Sequence, residues 1–136
     1  MITIEVNIGW NHKNYCASVD NQIPGAIVVT EKDFDKIKTA VSESVLFHIE
    51  GMIADGETAP KWLIDGDYQF KWHLNTSALL QRCEQYTSMA AIARITGINK
   101  HLLSHYANNL KTPSKKQHDR IVEGIHKIGR ELLSVE

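Results

Sequence analysis

Residues 89–108 read MAAIARITGINKHLLSHYAN, and this stretch decides the fold of the second half of the chain. Ala93 is small at a point where two helices must approach closely, and Gly97, four residues later, can adopt the positive φ of a tight turn. Asn99 then offers a cap for the amides of a following helix. Three apolar residues are expected to fill the space between the two helices: Ile98, Leu103 and Tyr106. The pattern predicts a helix-turn-helix, in which Thr96 stands where a more apolar residue is usual.

The second helix of this pair has an apolar side and a polar side. At about 100° per residue, one stripe comprises Leu102, Leu103, Tyr106 and Leu110. The polar side and the cap carry hydrogen-bonding groups and no acid: Asn99, Lys100, His101, Ser104, His105 and Asn108. Such a surface suits the major groove, where donors and acceptors read base edges and a carboxylate would repel phosphate. We predict these six as DNA-binding residues; a plain solvated helix face is the alternative.

The net charge of −1 conceals two oppositely charged halves. Residues 1–76 carry six Lys or Arg and 11 Asp or Glu, a net of −5, whereas residues 77–136 carry nine and five, a net of +4. No Asp or Glu occurs between residues 85 and 118. Opposite charges indicate two modules with differently charged partners, and we predict domains at 1–76 and 77–136. Chance variation of solvated faces is the alternative.

The first half predicts the order strand, strand, strand, helix, strand. Apolar and polar residues alternate over residues 2–8 and again over 15–19, and residues 26–29 form a short β-branched run. Residues 20–25 contain Pro24 and Gly25 and are expected to form a loop before that third strand. The fold class predicted for the whole chain is α+β.

A helix is expected after the third strand, with Thr30 as its cap. Its apolar residues recur at spacings of three and four: Phe34, Ile37, Val41, Val45, Ile49 and Met52. His48 shares that face and is expected to be packed and hydrogen-bonded rather than catalytic. Residues 51–66 are expected to be mostly loop. The fourth strand alternates Tyr68, Phe70, Trp72 and Leu74 with polar residues, which predicts one buried aromatic face rather than a platform for stacking bases.

The end of the chain predicts one more helix. Asn109 is expected to take a left-handed conformation that ends the preceding helix. The last helix has an apolar stripe that is long enough to close the helical bundle, to form a dimer seam, or both: Ile121, Ile125, Ile128 and Leu132. Three basic residues at its start are candidates for phosphate contacts, with a solvated face as the alternative: Lys115, Lys116 and Arg120.

Several classes of protein are disfavoured. Two cysteines, Cys16 and Cys83, are too few for a disulfide framework or a zinc knuckle, which indicates a reducing cytoplasm. His101 and His105 have a spacing that can hold a metal, but no further ligand lies nearby in sequence, so we predict neither a metal nor a cofactor. No apolar run approaches the roughly 18 residues of a membrane span. The first eight residues have a strand pattern rather than that of a secretory signal.

Three segments of the second half carry a resemblance to a known family: AAIARITGIN at 90–99, LSHYANNLKTP at 103–113 and IHKIGRELL at 125–133. In the first half the same resemblance rests on the order of strands and helix, on YCASV at 15–19, on the Ile23-Pro24-Gly25 loop and on residues 68–74. On these features the chain resembles the HicB-type antitoxins, in the subclass with a carboxy-terminal helix-turn-helix. Relatives tend to have Gly where this chain has Asn109, and a left-handed Asn can replace it.

The resemblance implies two functions. The amino-terminal domain would be a degenerate ribonuclease-H-like βββαβ unit that binds and masks a small basic HicA-type toxin, which cleaves mRNA. The carboxy-terminal domain, of lambda-repressor-like type, would bind operator double-stranded DNA as a homodimer or homotetramer and repress the operon. The setting implied is the cytoplasm of a bacterium or archaeon, without a membrane partner. The −5 charge of residues 1–76 is consistent with a basic partner.

Two other functions fit parts of the sequence. A helix-turn-helix regulator without a toxin partner would leave the first half to sense a ligand or to dimerise. An active nuclease on a ribonuclease-H-like core would need clustered carboxylates that hold two Mg²⁺ ions. Its candidate ligands would be Glu5, Glu43 or Glu50, and Asp65 or Asp67. The first strand offers Glu5 alone, so we predict that the protein is not an enzyme.

Overall fold

The computed structural model describes residues 1–19 and 22–136. They form two compact units, Met1–Leu74 and Asn75–Glu136. The first unit contains a four-stranded mixed sheet with helices, and the second is all helical, so the chain is α+β. The loop predicted at residues 20–25 falls partly on Asp20 and Asn21, which lie outside the described residues.

The sheet of the first unit has the strand order β3-β2-β1-β4. Its strands are β1 (Ile2–Trp10), β2 (Tyr15–Val19), β3 (Ile27–Glu31) and β4 (Tyr68–Leu74). β2 pairs antiparallel with both β1 and β3, whereas β4 pairs parallel with β1. The predicted order of strands and helix is therefore confirmed. Alternate side chains of β1 point into the core, where Ile4, Val6 and Ile8 are almost fully buried.

The helix α1 (Phe34–Ala54) covers one side of this sheet and buries the six apolar residues predicted for it. Thr30 does not cap α1; it lies in β3 opposite Cys16, and Asp33 occupies the N-cap position. The strand formed by the β-branched run therefore extends further along β2 than expected. His48 is half-buried and its Nε2 is hydrogen-bonded to the Pro24 carbonyl, as predicted.

The segment that follows α1 contains more helix than the sequence predicted. α1 continues through Gly51 because the burial of Met52 outweighs the small cost of a helical glycine. A short helix, α2 (Lys61–Ile64), then buries Leu63. The prediction of loop over residues 51–66 is thus wrong at both ends.

The aromatic face of β4 is less buried than predicted. Tyr68, Phe70, Trp72 and Leu74 are all half-buried. α1 packs over β2 and β3, at the edge of the sheet opposite to β4. It therefore covers little of β4. The rings pack on one another instead, with centroid distances of 5.6 Å from Tyr68 to Phe70 and 5.3 Å from Phe70 to Trp72.

The second unit consists of α3 (Thr76–Cys83), α4 (Met89–Thr96), α5 (Lys100–Ala107) and α6 (Lys115–Leu133). A single core joins all four helices: Leu80, Cys83, Ile92, Ile98, Leu103, Tyr106, Ala107 and Ile121. Each helix begins at a side-chain cap: Asn75, Ser88, Asn99 and Ser114. None of the described helices combines the length and the apolar character needed to span a bilayer.

The apolar stripe of α6 is only partly used inside this unit. Ile121 is fully buried, Ile125 and Ile128 are half-buried, and Leu132 is 68% exposed. The first half of the stripe therefore closes the bundle. The dimer seam suggested for the rest of the stripe stays a prediction.

Candidate nucleic-acid interface

The turn between α4 and α5 has the geometry that its sequence predicted. Gly97 has φ of +72°, and its N–H donates to the Ala93 carbonyl at 2.8 Å, which ends α4. Ile98 then inserts into the core with 4% of its surface exposed. The Asn99 side chain caps α5 by accepting a hydrogen bond from the His101 N–H at 2.7 Å. The turn thus holds α5 at a fixed angle to α4.

Thr96, the residue that departs from the expected apolar type, is part of this turn. Its side chain is buried, and its hydroxyl donates to the Ile92 carbonyl at 2.6 Å. The same oxygen accepts from the Ile98 N–H at 3.2 Å. A buried hydroxyl is tolerated when both its donor and acceptor functions are used, so Thr96 braces the turn.

α6 packs closely against this turn. A Cβ on Gly124 would lie 2.6 Å from Cγ2 of Thr96, so only glycine allows the helices to approach this far. One turn earlier in α6, the Arg120 guanidinium lies 3.0 Å from where a Cβ of Gly97 would be. Arg120 is exposed and therefore stands beside the entry to α5. The sequence had suggested Arg120 as a phosphate contact but gave no sign that it neighbours the turn.

α3 holds the other end of α5 through buried polar contacts. The Ser77 hydroxyl donates to the Ala107 carbonyl at 3.1 Å. Thr76 Oγ1 is hydrogen-bonded to Nδ1 of His118 at 2.6 Å, which ties the start of α3 to α6. These contacts were missed at the level of sequence, because Thr76, Ser77 and His118 resemble ordinary surface residues there. α5 is consequently fixed at both ends.

The six residues predicted to contact DNA lie on or next to α5, outside the core. Asn99, Lys100, His101 and Asn108 are exposed, and Ser104 and His105 are half-buried. The polar side of α5 is therefore accessible within the second unit. It carries cationic and neutral hydrogen-bonding groups and no carboxylate.

Two of these six side chains also have structural roles. The Oδ1 atom of Asn99 is engaged as the cap of α5, which leaves its amide N–H groups for other partners. The Asn108 side-chain amide donates to the Ser104 carbonyl at 2.9 Å and lies 3.5 Å from the Ser104 hydroxyl. In the described part of the chain, the side chains of Lys100 and His101, in the first turn, make no such capping contacts. The first turn is thus the part of α5 best suited to reach a partner.

The exit from α5 confirms one prediction and corrects another. Asn109 has φ of +58°, the left-handed conformation expected of it. The following N–H, of Leu110, donates to the His105 carbonyl at 2.9 Å and completes the helix end. Leu110 itself is 70% exposed, so it does not belong to the apolar stripe. The helix ends at Ala107, and the helical projection that placed Leu110 on the stripe no longer applies there.

Two basic side chains flank this surface, Arg120 beside the turn before α5 and Lys111 just after its end. Lys111, Lys116 and Arg120 are exposed. Lys115 is ion-paired with Asp119 at 2.9 Å on the surface of α6. An exposed pair of this kind contributes little to stability, so Lys115 can exchange Asp119 for another anion at small cost.

Two side chains of this unit, Cys83 and Glu123, have shifted pKa values. Burial raises the pKa of the Cys83 thiol, and the charge of Arg82 opposes this in part. On the outer side of α6, the hydrogen bond from Arg130 lowers the pKa of the Glu123 carboxyl.

Carboxylates and possible metal ligands are dispersed. Within residues 1–19 and 22–136, no three His, Cys, Asp or Glu side chains form a group that could hold a metal ion. Glu5, a candidate ligand of the nuclease alternative, is hydrogen-bonded to Nε2 of His73 on the polar side of the sheet. Asp65 and Asp67 are exposed next to β4.

No protein-family model, curated protein or solved structure matches the chain significantly.

Proposed function

We propose that the chain is a HicB-type antitoxin that also represses its own operon. Its second unit is a lambda-repressor-like helix-turn-helix domain that binds operator double-stranded DNA through α5. Its first unit is a degenerate ribonuclease-H-like domain that binds and masks a small basic HicA-type toxin. The protein acts as a homodimer or homotetramer in the cytoplasm of a bacterium or archaeon.

The observation that carries the DNA proposal is an exposed, acid-free helix face on a rigid support. Lys100 and His101 project from the first turn of α5, where a recognition helix meets base edges. Gly97, Thr96 and Gly124 fix the angle of that helix from behind. A surface held in one geometry loses little entropy on binding, which favours recognition of a defined duplex.

The flanking cations support the same proposal. Arg120 stands beside the start of α5, and Lys111 follows its end. Lys and Arg bind phosphate oxygens and set the register of a protein on the duplex, while the helix between them reads bases. Arg120 and Lys111 are placed for phosphate contacts on either side of α5, which is placed to read bases.

The charge of the first unit supports the toxin proposal. Residues 1–76 carry a net charge of −5, which would attract a basic protein and raise the rate of its capture.

DNA binding is tested by fluorescence anisotropy with a duplex from the region upstream of the gene, against a scrambled duplex of equal length. We expect binding to weaken with salt, because each neutralised phosphate contributes about −0.9 to the slope of log K against log salt. Lys100→Ala and His101→Ala should each weaken binding to the upstream duplex about tenfold, the equivalent of one good base contact. Lys61→Ala, an exposed lysine of the first unit, is the matched control. Equal affinity of Lys100→Ala, His101→Ala and wild type would overturn the assignment of α5.

Toxin binding is tested by co-expression with the adjacent short reading frame, followed by co-purification and growth rescue. Rescue together with a stable complex supports the antitoxin. The alternative, a helix-turn-helix regulator without a toxin partner, would bind the upstream duplex but give neither rescue nor complex.

A further inference from the structure

The outer edge of β4 offers unpaired backbone groups. β4 is the last strand of the sheet and pairs only with β1 among the described residues. The Ile2 N–H donates to the Asp67 carbonyl at 3.2 Å, and alternate residues of a parallel strand bond to the same neighbour. The odd-numbered residues of β4 therefore bond to β1. The even-numbered residues direct their N–H and C=O groups outward: Tyr68, Phe70, Trp72 and Leu74.

Of the features that usually protect an edge strand, this edge has an exposed lysine near its centre, Lys71, but neither a bulge nor a proline. Its seven residues pair with β1 in continuous register, without a bulge, and none of them is proline. On one face of β4 the half-buried aromatic rings form a row. Trp62 continues this row, with its ring centroid 6.2 Å from that of Tyr68. Lys38 of α1 reaches only as far as the Trp72 ring, 5.5 Å from its centroid. A long, regular edge with partly uncovered aromatic side chains is a template for another strand.

We propose that β4 pairs antiparallel with β4 of a second copy of this chain, with Phe70 on the twofold axis. The two sheets then join into one sheet of eight strands. In this register every ring meets a ring, since Phe70 faces Phe70 and Tyr68 faces Trp72, and Gln69 faces Lys71. Leu74 comes opposite Gly66, and Asp67 comes opposite His73, which is hydrogen-bonded to Glu5 of its own sheet. The outward backbone groups of Tyr68, Phe70 and Trp72 become the hydrogen-bonded pairs.

The pattern of side chains selects this register among its neighbours. Centring the axis on Lys71 would place two lysines directly opposite each other, which disfavours pairing. Centring it on Gln69 would set Trp72 against Gly66 and lose a pair of rings. Only the register on Phe70 matches every ring with a ring and opposes no like charges.

A second copy is the occupant that the pattern specifies. A self-complementary strand forms an isologous contact, in which each residue pair occurs twice about a twofold axis. A strand of an unrelated protein would have to supply the same order of rings and charges independently. All residues of the proposed contact lie in or next to β4, so the proposal does not depend on the DNA contacts of α5.

The mass of the full-length chain in solution tests the contact by sedimentation equilibrium. Phe70→Lys would put two lysines on the twofold axis and should raise the dissociation constant of the association at least tenfold. Phe47→Lys is the matched control, because Phe47 on α1 is 78% exposed and lies away from β4. Circular dichroism verifies that both variants are folded. An unchanged association for Phe70→Lys, or an association lost in Leu132→Lys of α6 instead, would overturn the proposal.

Disulfide trapping tests the register without relying on a disruptive variant. Single cysteines are introduced into a chain in which Cys16 is replaced by Ser and Cys83 by Ala. Phe70→Cys should form a covalent dimer on mild oxidation, since hydrogen-bonded pairs have Cα atoms about 5.5 Å apart, within disulfide range. Lys71→Cys should not, because Lys71 faces Gln69 of the other copy. Cross-linking of Lys71→Cys alone, or of neither variant, would contradict the proposed pairing. Lys100→Ala should leave the mass unchanged whatever its effect on DNA binding, which separates the two proposals.

Discussion

Gly124 and Thr96 bring α6 and α4 close together, since a Cβ on Gly124 would lie 2.6 Å from Cγ2 of Thr96. Both the side chain of Thr96 and the backbone of Gly124 are buried, so neither can move aside into solvent. The contact places α6 directly behind the turn that precedes α5. The position of α5 thus depends on a missing methyl group in a different helix.

Gly124→Ala should destabilise the second unit. Overpacking a buried contact costs about 1–3 kcal/mol, which outweighs the roughly 1 kcal/mol by which alanine improves helix propensity over glycine. Urea denaturation followed by circular dichroism measures the change. Gly129→Ala in the same helix is the matched control, because its added Cβ meets no atom within 4 Å, and it should be neutral or stabilising. Equal gains in stability for the two variants would show that α6 does not pack this closely.

Thr96→Val should lower the free energy of unfolding by about 1–3 kcal/mol, because the shape is kept while the buried Ile98 N–H loses its acceptor. Thr96→Ser keeps the hydroxyl and loses the methyl group near Gly124, so its loss should be smaller. The comparison uses denaturant midpoints of the full-length chain. If Thr96→Val were as stable as wild type, the hydrogen bonds of this hydroxyl would have no role in bracing the turn.

Asn99 should separate stability from DNA binding. Asn99→Ala removes the cap of α5 and should cost about 0.5–2 kcal/mol. Asn99→Asp keeps a capping oxygen, so stability should be retained, but its charge should weaken binding to the upstream duplex through repulsion of phosphate. Thermal unfolding and anisotropy are measured on the same samples. Undiminished DNA binding by Asn99→Asp would place the start of α5 away from the duplex.

Cys83 should react with iodoacetamide far more slowly than Cys16. Burial raises the pKa of the Cys83 thiol above its ordinary value of 9.0, and the thiolate is the reactive form. Because the folded state holds the proton more tightly, this group stabilises the fold below pH 9.0, and that contribution is lost as pH rises beyond it. Mass spectrometry after timed labelling distinguishes the two sites. Cys83→Ala should abolish the slow phase, and fast labelling of Cys83 at neutral pH would contradict its burial.

Local chemistry made much of the second unit predictable. Asn99 was predictable as a cap because its short polar side chain precedes an apolar periodic run and can accept a hydrogen bond from a free amide of the first turn, and this cap is present. Gly97 and Asn109 both have positive φ, as a tight turn and a helix end require. These features depend on a few neighbouring residues, which the sequence displays directly.

Features that depend on distant segments escaped prediction. The alternation in β4 correctly gave a strand, but it could not show that α1 would lie over β2 and β3 and leave Trp72 half-buried. Thr30 looked like a cap because its pairing with Cys16 in β2 is not visible locally. Gly124 gave no signal at all, since the side chain that it accommodates belongs to α4, nearly thirty residues earlier.

The parallel pairing of β1 with β4 sets an order of events during synthesis. Ile2 pairs with Tyr68, so β1 must wait until almost the whole unit has been synthesised before β4 can pair with its second edge. The helices of the second unit contact near neighbours in sequence and, by the relation between contact order and rate, should form faster once translated. A nascent chain therefore exposes an incomplete sheet for longer than an incomplete helical bundle. Aggregation and premature degradation of the chain are most favoured in the interval before Leu74 emerges.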